Sequence, residues 1–300
     1  MWNKIVAFFM AIVAFFCNLF GIDCQIKPGE TLNSYVYEDL AYGDHERQKL
    51  DLYIPKDNDG EVGLILMIHG GAWVAGDKSG YDDLIREWSD VYGYVTASVN
   101  YRYLSYETSF DDILDDIESA LYCIKNKAAE KGVTINKMLL SGHSAGGHLS
   151  MLYAYARKDS SPIAPAAVVD YCGPTDLLDP SFYGETATDG LKDLFTQIAS
   201  LAYGEPLTLE QTPLAYDLLK KASPLYYVDK NTVPTVINHG MKDEIVPYTN
   251  ALSLEAKFNE LGVTHIMNPY PHSGHGLGDD LDSQIKADKY FYEYAKTYLN

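Results

Sequence analysis

A chain of 300 residues is long enough for one large α/β domain or two small ones, and 47% hydrophobic content with a mean hydropathy of -0.17 describes a globular core. A formal net charge of -19, unrelieved by any basic patch, excludes nucleic acid as a partner, because a phosphate backbone would be repelled.

The N-terminus differs in character from the rest. Lys4 precedes an apolar run from Ile5 to Phe16, and weaker apolar character continues to Ile22. A positive start followed by an apolar run reads as a secretory signal peptide. No clean small-x-small cleavage site follows, and the stretch approaches spanning length, so an uncleaved membrane anchor competes. The expectation is a leader or anchor over residues 1–24 and an exported domain over 25–300, secreted or held at the membrane. Beyond the leader only Cys123 and Cys172 remain, both in apolar contexts and expected to be buried free thiols, though spacing does not decide whether they pair.

In chain order, Tyr35–Tyr42 and Gln48–Ile54 alternate polar and apolar residues, as half-buried antiparallel strands do. Pro55 and the cluster Lys56-Asp57-Asn58-Asp59-Gly60 form a turn, and Val62–Ile68 is a continuous apolar run typical of a strand covered on both faces. That strand ends in His69-Gly70-Gly71-Ala72-Trp73, followed by a Gly/Asp/Ser-rich loop and a helix near Asp82–Tyr92. After a buried strand at Tyr94–Val99, the spacing of Phe110, Ile113, Leu114, Ile117, Leu121 and Ile124 predicts a long amphipathic helix. Its Asp111, Asp112, Asp115 and Asp116 complement the helix dipole, a reading preferred to a metal site.

The stretch Gly142-His143-Ser144-Ala145-Gly146 comes next, with the apolar Met138-Leu139-Leu140 before it and a helical start after it. A strand that turns abruptly into a helix lifts a serine hydroxyl onto the helix N-terminus, and glycines are needed because side chains would clash across so tight a turn. A strand at Ala166–Tyr171 runs into Cys172-Gly173-Pro174-Thr175-Asp176. From about 177 to 227 the strand signal lapses and weak helical segments fill what reads as an inserted cap. Pro234–Asn238, a helix at Thr249–Leu261, a strand at Thr264–Tyr270 and a last helix at Asp280–Leu299 close the chain. Strands alternating with helices predict a mostly parallel sheet with helices on both faces and the two opening strands as an antiparallel edge.

A serine hydroxyl needs a base, usually a histidine held in one tautomer by a carboxylate, and in open α/β sheets such residues gather at the carboxyl ends of strands. Asp243 lies in the loop after one downstream strand, with Glu244 the weaker neighbour. His275, flanked by glycines, lies after the next, and His272 follows a proline and is expected to order the loop. His272 and His275 could instead pair with Asp279 or Asp280 on a metal, but no third ligand stands at zinc spacing. Oxyanion donors are expected from the amides of the Gly70–Trp73 loop and of Ala145 at the helix N-terminus. His69 and His239 are expected to brace their loops, His45, His148 and His265 to be surface or packing residues, and His143 to line the site. Trp73 is read evenly as an acyl-pocket wall or as core, and Asn100-Tyr101-Arg102 as a brace.

On these residues the chain resembles the α/β-hydrolase superfamily, which uses the order Ser144, Asp243, His275. The His69-Gly-Gly-Ala-Trp loop looks like the HGGG-type loop of hormone-sensitive-lipase-like and feruloyl-esterase-like carboxylesterases, and Leu50–Pro55, Gly173–Asp176 and Ala222-Ser223-Pro224 are similar too. The resemblance implies Ser144 as nucleophile, His275 as base, Asp243 as its orienting partner, and Gly71, Ala72 and Ala145 as the oxyanion hole; Ala72 stands where the motif has its last glycine. It implies a serine carboxylesterase acting without cofactor or metal on a small or polysaccharide-linked ester, with short acyl or aryl esters on carbohydrate the nearest analogy. A prolyl-oligopeptidase-type peptidase, or a catalytically dead hydrolase serving as a binding module, are the alternatives.

Overall fold

The structure, a computed structural model, describes residues 33–58 and 60–300. The expected leader or anchor over residues 1–24 lies outside the described residues, and among the latter no helix is long and apolar enough to cross a membrane.

Among the described residues ten strands form in chain order: β1 (Ser34–Ala41), β2 (Lys49–Pro55), β3 (Gly60–Glu61), β4 (Leu64–Ile68), β5 (Val95–Val99), β6 (Val133–Thr134), β7 (Lys137–His143), β8 (Ala164–Tyr171), β9 (Thr235–Gly240) and β10 (His265–Tyr270). Eight of them make one sheet in the order β1-β2-β5-β4-β7-β8-β9-β10. From β5 to β10 every neighbour is parallel, whereas β2 runs antiparallel to both β1 and β5. The antiparallel opening pair and the mostly parallel sheet match the pattern predicted from the sequence, and this is the α/β-hydrolase fold.

The helices are α1 (Asp82–Asp90), α2 (Phe110–Ala129), α3 (Ala145–Ala156), α4 (Asp189–Tyr203), α5 (Tyr216–Lys221), α6 (Thr249–Leu261) and α7 (Leu281–Leu299). They cover the sheet on both faces, so each central strand feeds two cores. On β4, Leu64, Leu66 and Ile68 join the larger core, while Ile65 and Met67 face the opposite one with Phe291, Tyr294 and Leu299 of α7. This two-sided burial is why β4 reads as an unbroken apolar run. Residues 177–227 hold α4, α5 and three short 3-10 turns, with Phe182, Phe195, Ile198 and Leu219 packed into the larger core.

Three expectations are corrected. β2 is not half-exposed: six of its seven residues are buried, because α1 and α2 pack on its two faces and β1 takes the sheet edge. Its one charged interior residue, Asp51, is neutralised by the buried Lys78, whose Nζ lies 2.7 Å away. Asp116 does not serve the α2 dipole. Its buried carboxylate accepts from the backbone N–H, Nε and Nη2 of Arg102 and from Nε2 of Gln48, so it pins the loop after β5 to the helix. Asp112 does cap α2, in a reciprocal box with Ser109. Finally, Cys123 and Cys172 are free, and only Cys172 is fully buried.

Candidate active site

Ser144 occupies the single residue between β7 and α3 with φ 59 and ψ -123, a sparsely populated positive-φ conformation that costs a non-glycine residue about 1–3 kcal/mol. The turn is closed by Ser144 N–H donating to Tyr171 O (2.8 Å) and by His148 N–H donating to Ser144 O (3.0 Å). Its glycines are obligatory: a Cβ on Gly142 would fall 2.3 Å, and one on Gly146 1.9 Å, from the carbonyl oxygen of Ile68.

The acid and base stand at the carboxyl ends of β9 and β10. His275 Nδ1 donates to Asp243 Oδ2 at 2.7 Å. The other carboxylate oxygen of Asp243 accepts the amides of Ile245 and Val246, both at 2.9 Å. Burial works to raise the Asp243 carboxyl, but the hydrogen bond from His275 and these two amides outweigh it and hold it below the usual carboxylate range. Asp243 is therefore an anion that fixes His275 with Nδ1 protonated and Nε2 free. Ser144 makes no hydrogen bond to His275 among the described residues.

His272, the rejected base, points elsewhere. It is 71% exposed, against 16% for His275, and its Nδ1 pairs with Asp280 at 2.7 Å. Burial opposes it, but the Ser273 hydroxyl, His272 and two backbone amides hold the Asp280 carboxyl at about 2. Glu244 is exposed.

The loop after β4 turns through Gly71 (φ 117), Ala72 (φ 49) and Trp73 (φ 63), three consecutive residues in left-handed backbone. Ala72 and Ala145 line the cavity beside Ser144, with their amides at the ends of the loop and of α3. Gly71 is not among the lining residues; its carbonyl accepts Val74 and Ala75 amides and closes the turn. His69 braces this loop from behind: its ring stacks on Tyr101 (4.3 Å), Nδ1 donates to Gly70 O (2.8 Å) and Nε2 accepts from Arg47 (3.1 Å). Burial pushes the His69 imidazole down to about 4, so it stays neutral in that role.

Trp73 resolves as wall and core together, lining the cavity while only 3% exposed. Its Nε1 donates to His148 Nδ1 (3.1 Å), and His148 Nε2 donates to Ala222 O (2.6 Å). The relay ties the oxyanion loop to the Ala222-Ser223-Pro224 stretch. His143 does not line the cavity. Its Nε2 donates to the backbone carbonyl of His275 (2.8 Å) and its ring lies 4.7 Å from the His275 ring, so it steadies the base. His239 likewise donates from Nε2 to Val246 O (2.9 Å) behind Asp243. Asn250, which carries no sequence signal, gathers the Thr175 and Asp176 amides on its Oδ1 at 2.9 and 3.0 Å.

Among the described residues two triplets of metal-ligating atoms lie within 4.8 Å of one another, His143–Cys172–His275 and Cys172–His239–Asp243. Both share Cys172, whose thiol burial and the neighbouring Asp243 push well up, and both consume groups already hydrogen-bonded within the site. A metal would need the thiolate that this setting disfavours.

The cavity itself encloses about 40 Å³, and Leu177, Phe182, Phe195, Ile198 and Val246 complete its apolar wall. A serine at a helix N-terminus, an imidazole oriented by a carboxylate and residues of two backbone turns around an apolar cavity are the parts needed for acyl transfer.

A model of the BD-FAE family matches residues 50–258. Esterase LipC of Mycobacterium tuberculosis is 28% identical over 257 residues, covering 81% of this chain and 60% of that protein. Across eight such curated relatives the chain spans 27% to 60% of their lengths. Among solved structures, a truncated carbohydrate esterase from gut microbiota superposes with a TM-score of 0.70 at 23% identity, covering 90% of this chain and 99% of that one. Esterase B from Lactobacillus rhamnosis gives 0.69 at 18% identity, covering 98% and 97%. At these identities the structural likeness is one of fold.

Proposed function

Because the chain belongs to the BD-FAE family, we propose that it is a serine carboxylesterase working through an acyl-enzyme. The observation that carries this reading is the 2.7 Å bond from His275 to the Asp243 anion, set at strand ends downstream of a positive-φ Ser144. Ser144 Oγ attacks the ester carbonyl carbon while His275 Nε2 takes its proton. The amides of Ala72 and Ala145 receive the charge that forms on the carbonyl oxygen. The carbon–oxygen bond to the alcohol then breaks as His275 returns the proton to the leaving group. Water, deprotonated by the same imidazole, releases the acid and restores Ser144.

The cavity favours a short acyl group. Its volume is about 40 Å³ and its wall is apolar, which suits the shorter acyl groups, of about two to four carbons. The carbohydrate esterases among the structural neighbours support a sugar as the alcohol side. The Lys4-led apolar run supports export, tested by fractionation and N-terminal sequencing of the mature protein. The activity is tested with p-nitrophenyl esters and aminoacyl anilides in parallel. Ester turnover is expected; anilide turnover without ester turnover would favour the peptidase, and neither would favour a binding module.

A further inference from the structure

The segment that carries His275 has little stiffness of its own. Glycines at 274, 276 and 278 alternate with His275 and Leu277, and glycine restricts its backbone less than any other residue. The imidazole nevertheless stands 2.7 Å from Asp243. Much of what holds it comes from the first turn of α7. Asp280 stands at the N-cap of that helix, where an aspartate ordinarily accepts N–H groups of its own helix. It makes no such bond here. Its side chain turns back instead: Oδ2 accepts the His272 amide (2.9 Å), the Ser273 amide (2.8 Å) and the Ser273 hydroxyl (2.6 Å), and Oδ1 takes His272 Nδ1 (2.7 Å). A surrendered helix cap breaks a local rule, and natural chains break such rules mainly at functional sites.

Ser273 passes this hold to both halves of the acid–base pair. It is fully buried, and its Oγ also accepts the Asp279 amide at 3.0 Å, so the two ends of the His275 loop are stitched together. Four residues along α7, Gln284 Nε2 donates to Leu277 O at 2.6 Å and fastens the middle of the loop. Ser273 lies two residues before His275, and its carbonyl accepts the amide of Lys242, the residue before Asp243, at 3.0 Å. The acid loop is pressed against it: a Cβ on Gly240 would fall 2.6 Å from Ser273 O and 2.4 Å from Gly274 O. One carboxylate thus sets the spacing of two loops that leave different strands. The His272 ring takes no part in that path, since it reaches only Oδ1.

We propose that Asp280 is a positioning residue for the base, holding His275 against Asp243 through Ser273. Its effect on turnover rests on the esterase reading; its effect on the His275–Asp243 bond does not. The test uses the full chain and reads p-nitrophenyl acetate kinetics together with the downfield proton resonance of the His275 Nδ1–H, assigned by its loss in His275→Ala. Melting curves show which variants are folded. Asp280→Ala should lower kcat by about thirtyfold or more, since a misplacement of about 1 Å can cost about a hundredfold, and should leave KM within about twofold. It should also broaden or remove the Nδ1–H resonance. Asp280→Asn, whose carboxamide oxygen can still accept the two amides and the hydroxyl, should recover at least about tenfold of the lost kcat. If Asp280→Ala does not fold, Ser273→Ala takes its place and should lower kcat by about tenfold at the same KM. A folded variant with kcat within about threefold of the native chain, or with the loss carried by KM, overturns the positioning role. So does a resonance left unchanged by the substitution, or none in the native chain. A native chain that turns over no ester, but loses its Nδ1–H resonance in the variant, would overturn the esterase reading and leave the positioning role standing.

Discussion

At Ser144 the chain accepts a positive-φ backbone that its neighbours then enforce, and the same holds for Ala72 and Trp73 across the cavity. Because Ala72 and Trp73 both pay this conformational cost, Ala72→Gly relieves strain and is expected to leave the fold at least as stable, while loosening the amide it presents. The choice of base is sharper. His275→Ala should lower kcat/KM on p-nitrophenyl acetate by at least about a thousandfold, whereas His272→Ala, which loses only an exposed pairing with Asp280, should stay within about threefold. Comparable losses in both would contradict the assignment. Ser144, Asp243 and His275 were legible because their motif positions coincide with strand ends. His148 and Asn250 were not: each acts through a partner about 75 residues away, and nothing in the local pattern marks a buried polar side chain as a tie.

Among the elements, α4 carries the specificity argument. Phe195 and Ile198 on its inner face close the cavity opposite Ser144, so Phe195→Ala should shift the preferred p-nitrophenyl ester from about two to four carbons toward six to eight. It should also cost about 3 kcal/mol in urea unfolding, since a buried phenyl is lost. An unchanged chain-length profile in a folded variant would remove α4 from the pocket wall. The loop after β5 depends on α2 in the same way. Asp116→Asn leaves Arg102 partly unpaired against a buried amide and should destabilise by about 3 kcal/mol. Sequence reading found the long strands and helices through their apolar period. It misassigned Asp116 because a dipole argument looks only along the helix, and it passed over β3 and β6 because a two-residue pairing has no period to detect.

At the scale of the molecule, buried titratable groups set the pH response. Burial depresses His69, His143 and His148 to about 4, so the unfolded chain binds more protons between about 4 and the ordinary imidazole range. Their stability is complete above that range and is lost as pH falls toward 4. Asp288 and Glu87 run the other way. Burial raises both to about 7, with Asp288 adding to Glu87, so the folded chain holds protons that the unfolded chain releases, and stability falls as pH rises through 4 to 7. Between pH 4 and 7 the two sets of groups oppose one another in the melting temperature, so a single carboxyl gives the sharper test. Asp288→Asn should raise the melting temperature at pH 8 and leave it unchanged at pH 4; the opposite pattern would contradict the burial argument.

The account stands on Ser144 as the nucleophile. Turnover of p-nitrophenyl acetate by the native chain and by Ser144→Ala, with both shown folded by their melting curves, addresses this directly. The native chain is expected to hydrolyse the ester, and Ser144→Ala to fall by at least about a thousandfold toward the buffer rate. Equal turnover in the two would contradict it.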